Sequence, residues 1–570
     1  MDTDKLYCRI IFDVLARHGV KDVVCSPGSR NAPLIIAAAS REELHKHIVV
    51  DERSGAFMGL GISLVSRNPV ALVCTSGTAL LNYAPAVAEA YYQGIPLIVI
   101  SADRPIQWID QDDSQTLRQN DALVNYVKKS FTIPAYGENN AEMQWYVNRI
   151  ANEAILVATA GKAGPVHINI QLTEPLGGKV NLTENNERLI REIKGDTLAN
   201  KEIFRELDKK LNESRVLLVA GFMSPDSKLN STIVNFCTSH PNVAVMAESI
   251  SNLHLTPDAY AIDNVLTAYP DETLDEMAPD LVISLGGALV SRKLKEYLRR
   301  NRHKCEHWSV GYSHTLSDCL MALTLRIETD PMRFFKAITR KKGKIRLSEQ
   351  ICSYADKWWE LRDVALKEKD DFIKICGWSE LKAFSYMLTN LPARFNLSLS
   401  NGTPIRYAQL ITRSLPHAEY CNRGVSGIDG SLSTAIGEAK AYKGVTILIT
   451  GDLSMSYDIG ALAIRDIPDT MKIVVIDNGG GGLFRFIPST SALEEREEYF
   501  CAPPLLPLRQ LAEGFGWEYA EVDNVSRLDS VWDTFMNAPR KSILKIICDG
   551  IISAEILKKY MQIKTKLNKI

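Results

Sequence analysis

Two predicted strands in the last third of the chain end in side chains that could hold a cation. The β-branched run 446–450 is followed by Gly451 and Asp452, and the run 473–476 leads to Asn478, 26 positions after Asp452. Ligands bind beyond the carboxyl ends of parallel strands, and Mg²⁺ prefers oxygen ligands, completing its shell with phosphate oxygens and water. Gly-Asp and Asn-Gly are common turns when they occur singly. Together, at this spacing, they predict an anchor for a magnesium-bound diphosphate.

The pair of strand ends resembles the cofactor motif of thiamine-diphosphate-dependent enzymes, in which Gly-Asp precedes a second strand that ends in Asn. The resemblance implies thiamine diphosphate and Mg²⁺ (or Mn²⁺) as cofactors, with Asp452, Asn478 and the backbone carbonyl of Gly480 as metal ligands. The neighbouring residues that it assigns to the cofactor are Gly451, Leu453 and Ser454. Family members usually have Asn-Asn where this chain has Asp477-Asn478. Because the second Asn is the ligand, the departure leaves that role in place.

A glutamate near the start of the chain could share a proton with the cofactor. Glu52 follows the apolar strand pattern 47–50 and opens a helix in which Gly55, Ala56 and Gly59 lie on nearly one face. By itself, such a residue is usually a surface charge at a helix N-terminus. In the family, a Glu at this place hydrogen-bonds the pyrimidine ring and favours the tautomer that takes the proton from thiazolium C2, a role that a raised pKa suits. The resemblance makes Glu52 the predicted catalytic residue.

One sequence string indicates a particular family among the thiamine-diphosphate-dependent enzymes, because the fold that they all share does not require it. Ser26-Pro27-Gly28-Ser29-Arg30 follows the first predicted strand and is similar to the hallmark of the MenD family, the 2-succinyl-5-enolpyruvyl-6-hydroxy-3-cyclohexene-1-carboxylate synthases. Further matching strings stand in order at family-like spacing, at 51–53, 75–78, 102–105, 422–424, 426–430 and 451–454. In this family Ile428 would lie beneath the cofactor and hold it in a bent conformation.

The resemblance also implies a reaction. 2-Oxoglutarate would lose CO₂, and the resulting succinyl carbanion equivalent would add in a 1,4 fashion to isochorismate, a step of menaquinone (vitamin K2) biosynthesis. Both substrates are dicarboxylates, and Arg is the better partner because its planar fork pairs a carboxylate bidentately. The substrate-binding residues that we predict are Arg30 and Arg423 first, then Arg406, with Ser29 and Gln115 as polar contacts, and the weaker candidates Arg104, Arg118, Arg292 and Lys293.

The predicted substrate cavity also has an apolar side. Leu483, Phe484 and Ile487 would form its wall, although a stripe of this kind is equally typical of ordinary core. The family often has Asn-Ser before the substrate Arg on the first strand of the last domain. Here Asn401-Gly402 stands at that place, so the sequence predicts no side-chain hydroxyl contact from it.

The elements that would position these residues follow one pattern. Short apolar runs, each followed by Gly, Ser or Thr and then by a helical period, recur along the chain and predict βα units around buried parallel sheets. The predicted fold class is α/β, with three doubly wound parallel-sheet domains. We place a pyrimidine-binding domain at 1–180, a central domain at 190–345 and a diphosphate-binding domain at 375–570. A polar stretch at 175–192, and the basic patch 341–344 with the charged helix 358–371, would join them.

Composition excludes several other classes of protein. The 66 Lys+Arg and 68 Asp+Glu give a net charge of -2, which offers no basic field for nucleic acid or an anionic membrane. The apolar runs are far shorter than the ~20 residues that span a bilayer, and the start of the chain does not resemble a signal peptide. The 11 scattered cysteines contain no C-x-x-C pair and suit a reducing cytoplasm. We expect a cytoplasmic protein, and the resemblance implies a homodimer or homotetramer with active sites at the subunit interface.

Two alternatives share parts of this pattern. Another thiamine-diphosphate carboligase or decarboxylase, such as an acetolactate synthase, would have the same three-domain plan but would release CO₂ from pyruvate. A non-catalytic diphosphate-binding regulator would need Asp452 and Asn478 but not Glu52, so the presence of Glu52 argues against it.

Overall fold

Three parallel sheets organise the chain, as the βα pattern predicts. The computed structural model describes residues 1–137, 140–181, 187–192, 201–254, 261–339, 349–411 and 418–565. The predicted basic patch 341–344 lies outside these ranges. Within them, no helix is both long enough and apolar enough to cross a membrane.

The first sheet has six parallel strands. They are β2 (Asp22–Cys25), β3 (His45–Ile48), β4 (Val70–Cys74), β5 (Leu97–Asp103), β6 (Ser130–Ile133) and β7 (Val166–Gln171), in the order β3-β2-β4-β5-β7-β6. A short antiparallel pair, β1 (Asp2–Thr3) and β8 (Lys179–Val180), joins the start of the chain to the end of this unit. Strand β3 begins two residues before the predicted strand and ends at Ile48, so Val49 and Val50 belong to the turn before Glu52.

Helices cover both faces of the first sheet. Those that share one apolar cluster are α1 (Leu6–Arg17), α2 (Ala32–Ala39) and α6 (Ala141–Thr159). Those on the other face are α3 (Glu52–Ser66), α4 (Thr78–Asn82) and α5 (Ala84–Gln93). Helix α3 begins where it does because Asp51 caps it, its Oδ1 accepting hydrogen bonds from the backbone N–H groups of Arg53 and Ser54.

The middle sheet has five parallel strands: β9 (Val216–Ala220), β10 (Val243–Ala247), β11 (Leu281–Leu285), β12 (Glu306–Val310) and β13 (Leu323–Ile327), in the order β10-β9-β11-β12-β13. Its helices are α7 (Lys201–Asn212), α8 (Ser227–Ser239), α9 (Ile262–Ala268), α10 (Asp271–Glu276), α11 (Arg292–Arg300), α12 (Pro331–Ile338), α13 (Glu349–Cys352) and α14 (Tyr354–Ile375). Helix α14 contains the predicted charged bridge. It buries Trp358 and Leu361 in the core of this sheet, and its Lys369 Nζ donates a hydrogen bond to the carbonyl of Tyr560 in the last unit.

The last sheet again has six parallel strands: β14 (Asn396–Leu399), β15 (Ala418–Tyr420), β16 (Thr446–Gly451), β17 (Met471–Asp477), β18 (Glu518–Val522) and β19 (Ser542–Ile547), in the order β15-β14-β16-β17-β19-β18. Its helices are α15 (Glu380–Thr389), α16 (Thr403–Leu410), α17 (Ser431–Ala441), α18 (Asp452–Tyr457), α19 (Leu508–Gly514), α20 (Val525–Met536) and α21 (Gly550–Gln562). The three sheets fall inside the three predicted domain ranges, while the boundaries themselves remain predictions.

The first and last sheets share one apolar core because α3 and α17 cross at very short distance. A Cβ atom added to Gly61 would overlap the carbonyl oxygen of Thr434, and one added to Gly437 would overlap the carbonyl oxygen of Met58. The small face predicted for α3 serves a different neighbour: a Cβ added to Gly59 would lie 2.5 Å from the Leu72 side chain on β4. Glycines on two sides of α3 therefore permit the close approach of α17 on one side and of β4 on the other.

Candidate active site

Four adjacent strands of the last sheet end at one edge, where most of the predicted cofactor residues lie. Strands β16 and β17 are parallel neighbours, with Gly451 beside Ile476. Asp452 follows β16 directly, and its Oδ2 accepts a hydrogen bond of 2.7 Å from the backbone N–H of Gly480. The two predicted anchor segments are therefore in contact, as expected for consecutive strand ends.

The side chains at this edge fit a divalent cation. Among the described residues, Asn478 Oδ1 is buried and has no hydrogen-bond partner, while its Nδ2 donates to Glu380 Oε1 at 2.9 Å. A buried polar atom without a partner is unusual and points to a missing ligand. Burial, and then the neighbouring Asp477 carboxylate, hold the pKa of Asp452 above its usual range. A bound cation would give the unpaired oxygen a partner and would offset the repulsion between the carboxylates of Asp452 and Asp477.

The loop after Asn478 has a shape that only glycine permits. Gly479, Gly480 and Gly481 have φ angles of 76°, 79° and 58°, and a Cβ added to Gly480 would lie 2.5 Å from the Ala502 carbonyl oxygen. Arg485 Nη1 donates to the carbonyl oxygens of Asn478 and Gly480, each at 3.1 Å. The Gly480 carbonyl that the resemblance assigns to the metal therefore already accepts one hydrogen bond, and it has a second lone pair to offer.

Asp477, which stands where the family usually has Asn, has a partner of its own. Its Oδ2 lies 2.6 Å from Lys545 Nζ on the neighbouring strand β19. Its Oδ1 accepts a hydrogen bond of 3.3 Å from the backbone N–H of Gly479. The departure from the motif is thus accompanied by an ion pair within the sheet.

The predicted residues 451–454 meet the segment that carries Ile428. Leu453 donates its backbone N–H to Asp452 Oδ1 at 2.8 Å, and Ser454 Oγ donates to the carbonyl oxygen of Ile428 at 2.7 Å. The Ile428 side chain remains 39% exposed. Exposure of a large apolar side chain beside the anchor is what a residue that contacts the cofactor requires.

Two of the predicted arginines lie together beyond the other two strand ends. Arg406 follows β14, Arg423 follows β15, and Arg423 Nη1 donates to Asn401 Oδ1 at 3.0 Å. Burial, and then the charge of Arg423, lower the pKa of Arg406. Two guanidinium groups that interact in a partly dry place could together hold an anion. Gly402, which replaces the family Ser, offers only its carbonyl, which accepts a hydrogen bond from Arg406 Nη1.

The middle sheet contributes the predicted pair Arg292 and Lys293 at the start of α11. Both are exposed and pair with Glu296, at 2.6 and 3.2 Å. Burial raises the pKa of the half-buried Asp263; its hydrogen bond from Ser291 and the charge of Lys369 oppose this rise most, and the charges of Lys293 and Arg406 oppose it less. This end of α11 therefore lies near the Arg406 side of the site.

The first sheet holds a separate group of predicted residues. Arg30 is buried, donates to the Leu172 carbonyl at 3.1 Å and pairs with Glu174 at 3.2 Å. Arg104 pairs with Asp113 at 2.6 Å, and Arg118, with 81% of its side chain exposed, pairs with Asp110 at 2.7 Å. The other two members of the group are Ser29, which is exposed, and Gln115, which packs against Gly77.

Glu52 also lies on the first sheet, at the start of α3. Its Oε2 accepts a hydrogen bond of 3.2 Å from Asn82 Nδ2. Within the described ranges, no hydrogen bond links it to Asp452 or Asn478. The last sheet therefore holds the anchor, Ile428, Arg406 and Arg423, while Glu52 lies on the first sheet, next to Arg53, whose Nη2 donates a hydrogen bond of 2.9 Å to the Tyr457 carbonyl at the end of α18.

The predicted apolar wall follows the glycine loop. Leu483 and Phe484 lie in a 3-10 turn over Gly482–Arg485, and Ile487 follows it, all half-buried. The Phe484 ring meets the Phe500 ring edge-on, with centroids 5.5 Å apart. Two residues near this wall, Glu380 and Arg485, were missed in the sequence because no local pattern distinguishes them from other charged residues.

A family model matches the first part of the chain. Residues 7–123 match the family model described as thiamine pyrophosphate enzyme, N-terminal TPP binding domain. The matched residues run from α1 to beyond β5 in the unit of the first sheet. They include Glu52 and the string from Ser26 to Arg30.

Curated relatives match over almost the whole chain, and three share the name 2-succinyl-5-enolpyruvyl-6-hydroxy-3-cyclohexene-1-carboxylate synthase. The Porphyromonas gingivalis protein is 38% identical over 98% of this chain and 97% of its own length. The Cytophaga hutchinsonii protein is 37% identical over 96% and 97%, and the Bacteroides thetaiotaomicron protein is 34% identical over 99% and 100%. The chain therefore belongs to the 2-succinyl-5-enolpyruvyl-6-hydroxy-3-cyclohexene-1-carboxylate synthase family of thiamine-diphosphate-dependent enzymes.

Proposed function

We propose that the chain decarboxylates 2-oxoglutarate and joins the remaining succinyl unit to isochorismate, using thiamine diphosphate and Mg²⁺ or Mn²⁺. The observation that carries the proposal is the order of four strand ends along one sheet edge. The first two in the order, β15 and β14, lead to Arg423 and Arg406, and the next two, β16 and β17, lead to Asp452 and Asn478. Anion-binding groups thus stand beside a site for a cation and a diphosphate. The relatives' name describes the product that joining these two substrates would give.

Each group has a role in this proposal. Asp452, Asn478 and the Gly480 carbonyl would hold the cation, and the cation would hold the diphosphate. Thiamine diphosphate, when bound, supplies a thiazolium carbon that becomes a nucleophile on losing its proton. Glu52 of the partner subunit would hold a proton at the pyrimidine ring nitrogen. Ile428 would set the conformation of the bound molecule through contact.

The substrate carboxylates would be held by charged groups from two subunits. Arg406 and Arg423 are the nearest to the anchor along the sheet edge, and Arg292 and Lys293 of the middle sheet would add further positive charge. The residues of the first sheet that would reach the same cavity from the partner subunit are Ser29, Arg30, Arg104, Gln115 and Arg118. Leu483, Phe484 and Ile487 would cover the apolar part of the substrate.

A coupled assay tests the reaction. The full chain is incubated with thiamine diphosphate, Mg²⁺ and carboxyl-labelled 2-oxoglutarate, with and without isochorismate, and both CO₂ and the cyclohexene product are followed. We expect product only when all four components are present, and loss of activity on chelation of the metal. CO₂ release from pyruvate instead of 2-oxoglutarate would contradict the substrate assignment and favour an acetolactate-synthase-like activity.

Two further parts of the proposal concern assembly and location. We infer a homo-oligomer with active sites at the subunit interface from the family resemblance, and sedimentation of the purified protein tests this. All 11 cysteines are free thiols, which fits a reducing cytoplasm. Fractionation of the source cells tests the location.

A further inference from the structure

A buried carboxylate of the first sheet holds the loop that carries two predicted active-site residues. Glu89 lies in α5 and is 3% exposed. Its Oε1 accepts a hydrogen bond of 2.6 Å from the backbone N–H of Gly424, and its Oε2 accepts one of 2.7 Å from the backbone N–H of Val425. These two N–H groups belong to the loop that follows β15 in the last sheet. One side chain therefore fixes two consecutive peptide groups of another unit of the chain.

The geometry of this contact requires both a carboxylate and a glycine. A Cβ added to Gly424 would lie 2.5 Å from the Glu89 carbonyl oxygen and 3.0 Å from Glu89 Oε1, so no larger residue permits the approach. A carboxylate accepts at both oxygens, whereas the amide of Gln presents an acceptor to one N–H and a donor to the other. The two bonds are charge-assisted, which makes them stronger than bonds between neutral groups.

The loop is fixed along its backbone while two of its apolar side chains remain exposed. Opposite Glu89, Asn401 Nδ2 donates to the carbonyl oxygens of Asn422 and Gly427, at 2.6 and 2.7 Å. Val425, within this supported segment, and Ile428, directly after it, remain 55% and 39% exposed. Arg423 immediately precedes the two peptide groups that Glu89 holds.

We propose that Glu89 is a positioning residue of the active site. By holding the backbone at Gly424 and Val425, it sets where Arg423 meets a substrate carboxylate and where Ile428 meets the cofactor. The roles of Arg423 and Ile428 rest on the proposed function, but the mechanical link between Glu89 and the loop does not. A role in stability alone is the competing explanation, since Glu89 also joins two units of the fold.

The test compares Glu89→Gln with Glu153→Gln in the full-length holoenzyme. Glu153 is a matched control because it is a helical Glu of the same unit whose partners, Lys129 and Arg149, lie away from the loop. Amide hydrogen exchange is followed for peptides covering 422–430 and for peptides from the α3–α17 crossing. Loss of one charge-assisted bond corresponds to ~10-fold or more in an equilibrium constant, so we expect exchange in 422–430 to rise by that order in Glu89→Gln alone.

Kinetics separate positioning from stability. For Glu89→Gln, assayed below its melting temperature, we expect kcat/KM for product formation to fall ~10-fold or more. Part of this fall should come from a higher KM, because Arg423 is displaced. A purely stabilising role predicts wild-type kcat and KM, with faster exchange spread over the α3–α17 crossing, and that result would overturn the proposal. So would wild-type exchange in 422–430.

Gly424→Ala reaches the same contact from the loop side and keeps the test decisive if Glu89→Gln does not fold. It should raise exchange in the same peptide and reduce kcat/KM, and the double variant should be little worse than either single one because both break one contact. Additive effects would contradict a shared contact. If wild type itself forms no product from 2-oxoglutarate and isochorismate, the proposed function fails, while the exchange data still decide whether Glu89 holds the loop.

Discussion

At the scale of single residues, the orientation of one amide decides whether the anchor can hold a metal. Asn478 can present either Oδ1 or Nδ2 to the space beside Asp452, and only the oxygen binds a cation. Glu380 accepts the hydrogen bond from Nδ2, so the buried and unpartnered oxygen is the atom left to bind a cation. Burial raises the pKa of Glu380 to about 7. An acceptor on one side of the amide thus prepares a ligand on the other.

Asp452→Ala should weaken cofactor binding at a fixed Mg²⁺ concentration. The variant loses the one anionic side chain among the three proposed protein ligands, and a hard cation is then poorly held. Titration calorimetry with thiamine diphosphate measures the effect. Asp469→Ala is the control, because this exposed Asp stands just before the opposite end of β17. Unchanged affinity in Asp452→Ala would remove Asp452 from the anchor.

Arg406→Ala should reduce kcat/KM by an amount equivalent to ~2–5 kcal/mol, since it leaves a carboxylate unpaired in a partly dry site. Arg406→Lys should restore only part, because an ammonium group lacks the planar fork. Single-turnover measurements with each substrate show which carboxylate is affected. Arg527→Ala, an exposed Arg of α20, should behave as wild type. Wild-type kinetics in Arg406→Ala would make Arg406 a structural charge.

At the scale of elements, the crossing of α3 and α17 couples the two units that carry the site. Both helices begin beside functional residues, since α3 starts at Glu52 and α17 starts three residues after Ile428. Their backbones touch because Gly61 and Gly437 lack side chains. A change at this crossing therefore shifts both helix starts together, in addition to its effect on stability.

Gly61→Ala should destabilise the protein by ~1–3 kcal/mol or more, because backbone atoms of α17 occupy the space that the new methyl group needs. Gly514→Ala is a matched control within a helix. A Cβ added to Gly514 meets nothing within 4 Å, so the better helix propensity of Ala should leave stability unchanged or slightly raised. Scanning calorimetry compares the two variants. An equal melting temperature for Gly61→Ala and wild type would contradict the close crossing.

Local patterns explain which parts of this fold could be predicted. The run 473–476 became part of β17 over Met471–Asp477, and the run 446–450 became β16 over Thr446–Gly451, because a buried parallel strand is apolar on both faces. The anchor could be predicted for the same reason, since its residues follow such strands directly. Glu89 and Arg485 could not, because their partners are set by tertiary contacts that leave no periodic signal in the sequence.

At the scale of the whole molecule, the division of the predicted site between two regions of the chain has a consequence for assembly. Glu52 lies at one end of α3, where its carboxylate accepts a hydrogen bond from Asn82. The anchor lies on the last sheet. If a complete site forms between two chains, each site takes Glu52 from one chain and Asp452 from the other, and a symmetric dimer contains two such sites.

Mixing two inactive variants tests this arrangement. Glu52→Gln and Asp452→Ala should each be inactive as homo-oligomers, because every site then lacks one of the two groups. In a mixed dimer, one site receives both substitutions and the other receives neither. Random re-assortment of equal amounts should therefore restore about a quarter of the wild-type sites, since half the dimers are mixed and each has one intact site. Activity is measured after partial dissociation and re-association, and each variant treated alone is the control. If the mixture stays inactive although mass spectrometry detects mixed dimers, each complete site takes Glu52 and Asp452 from the same chain.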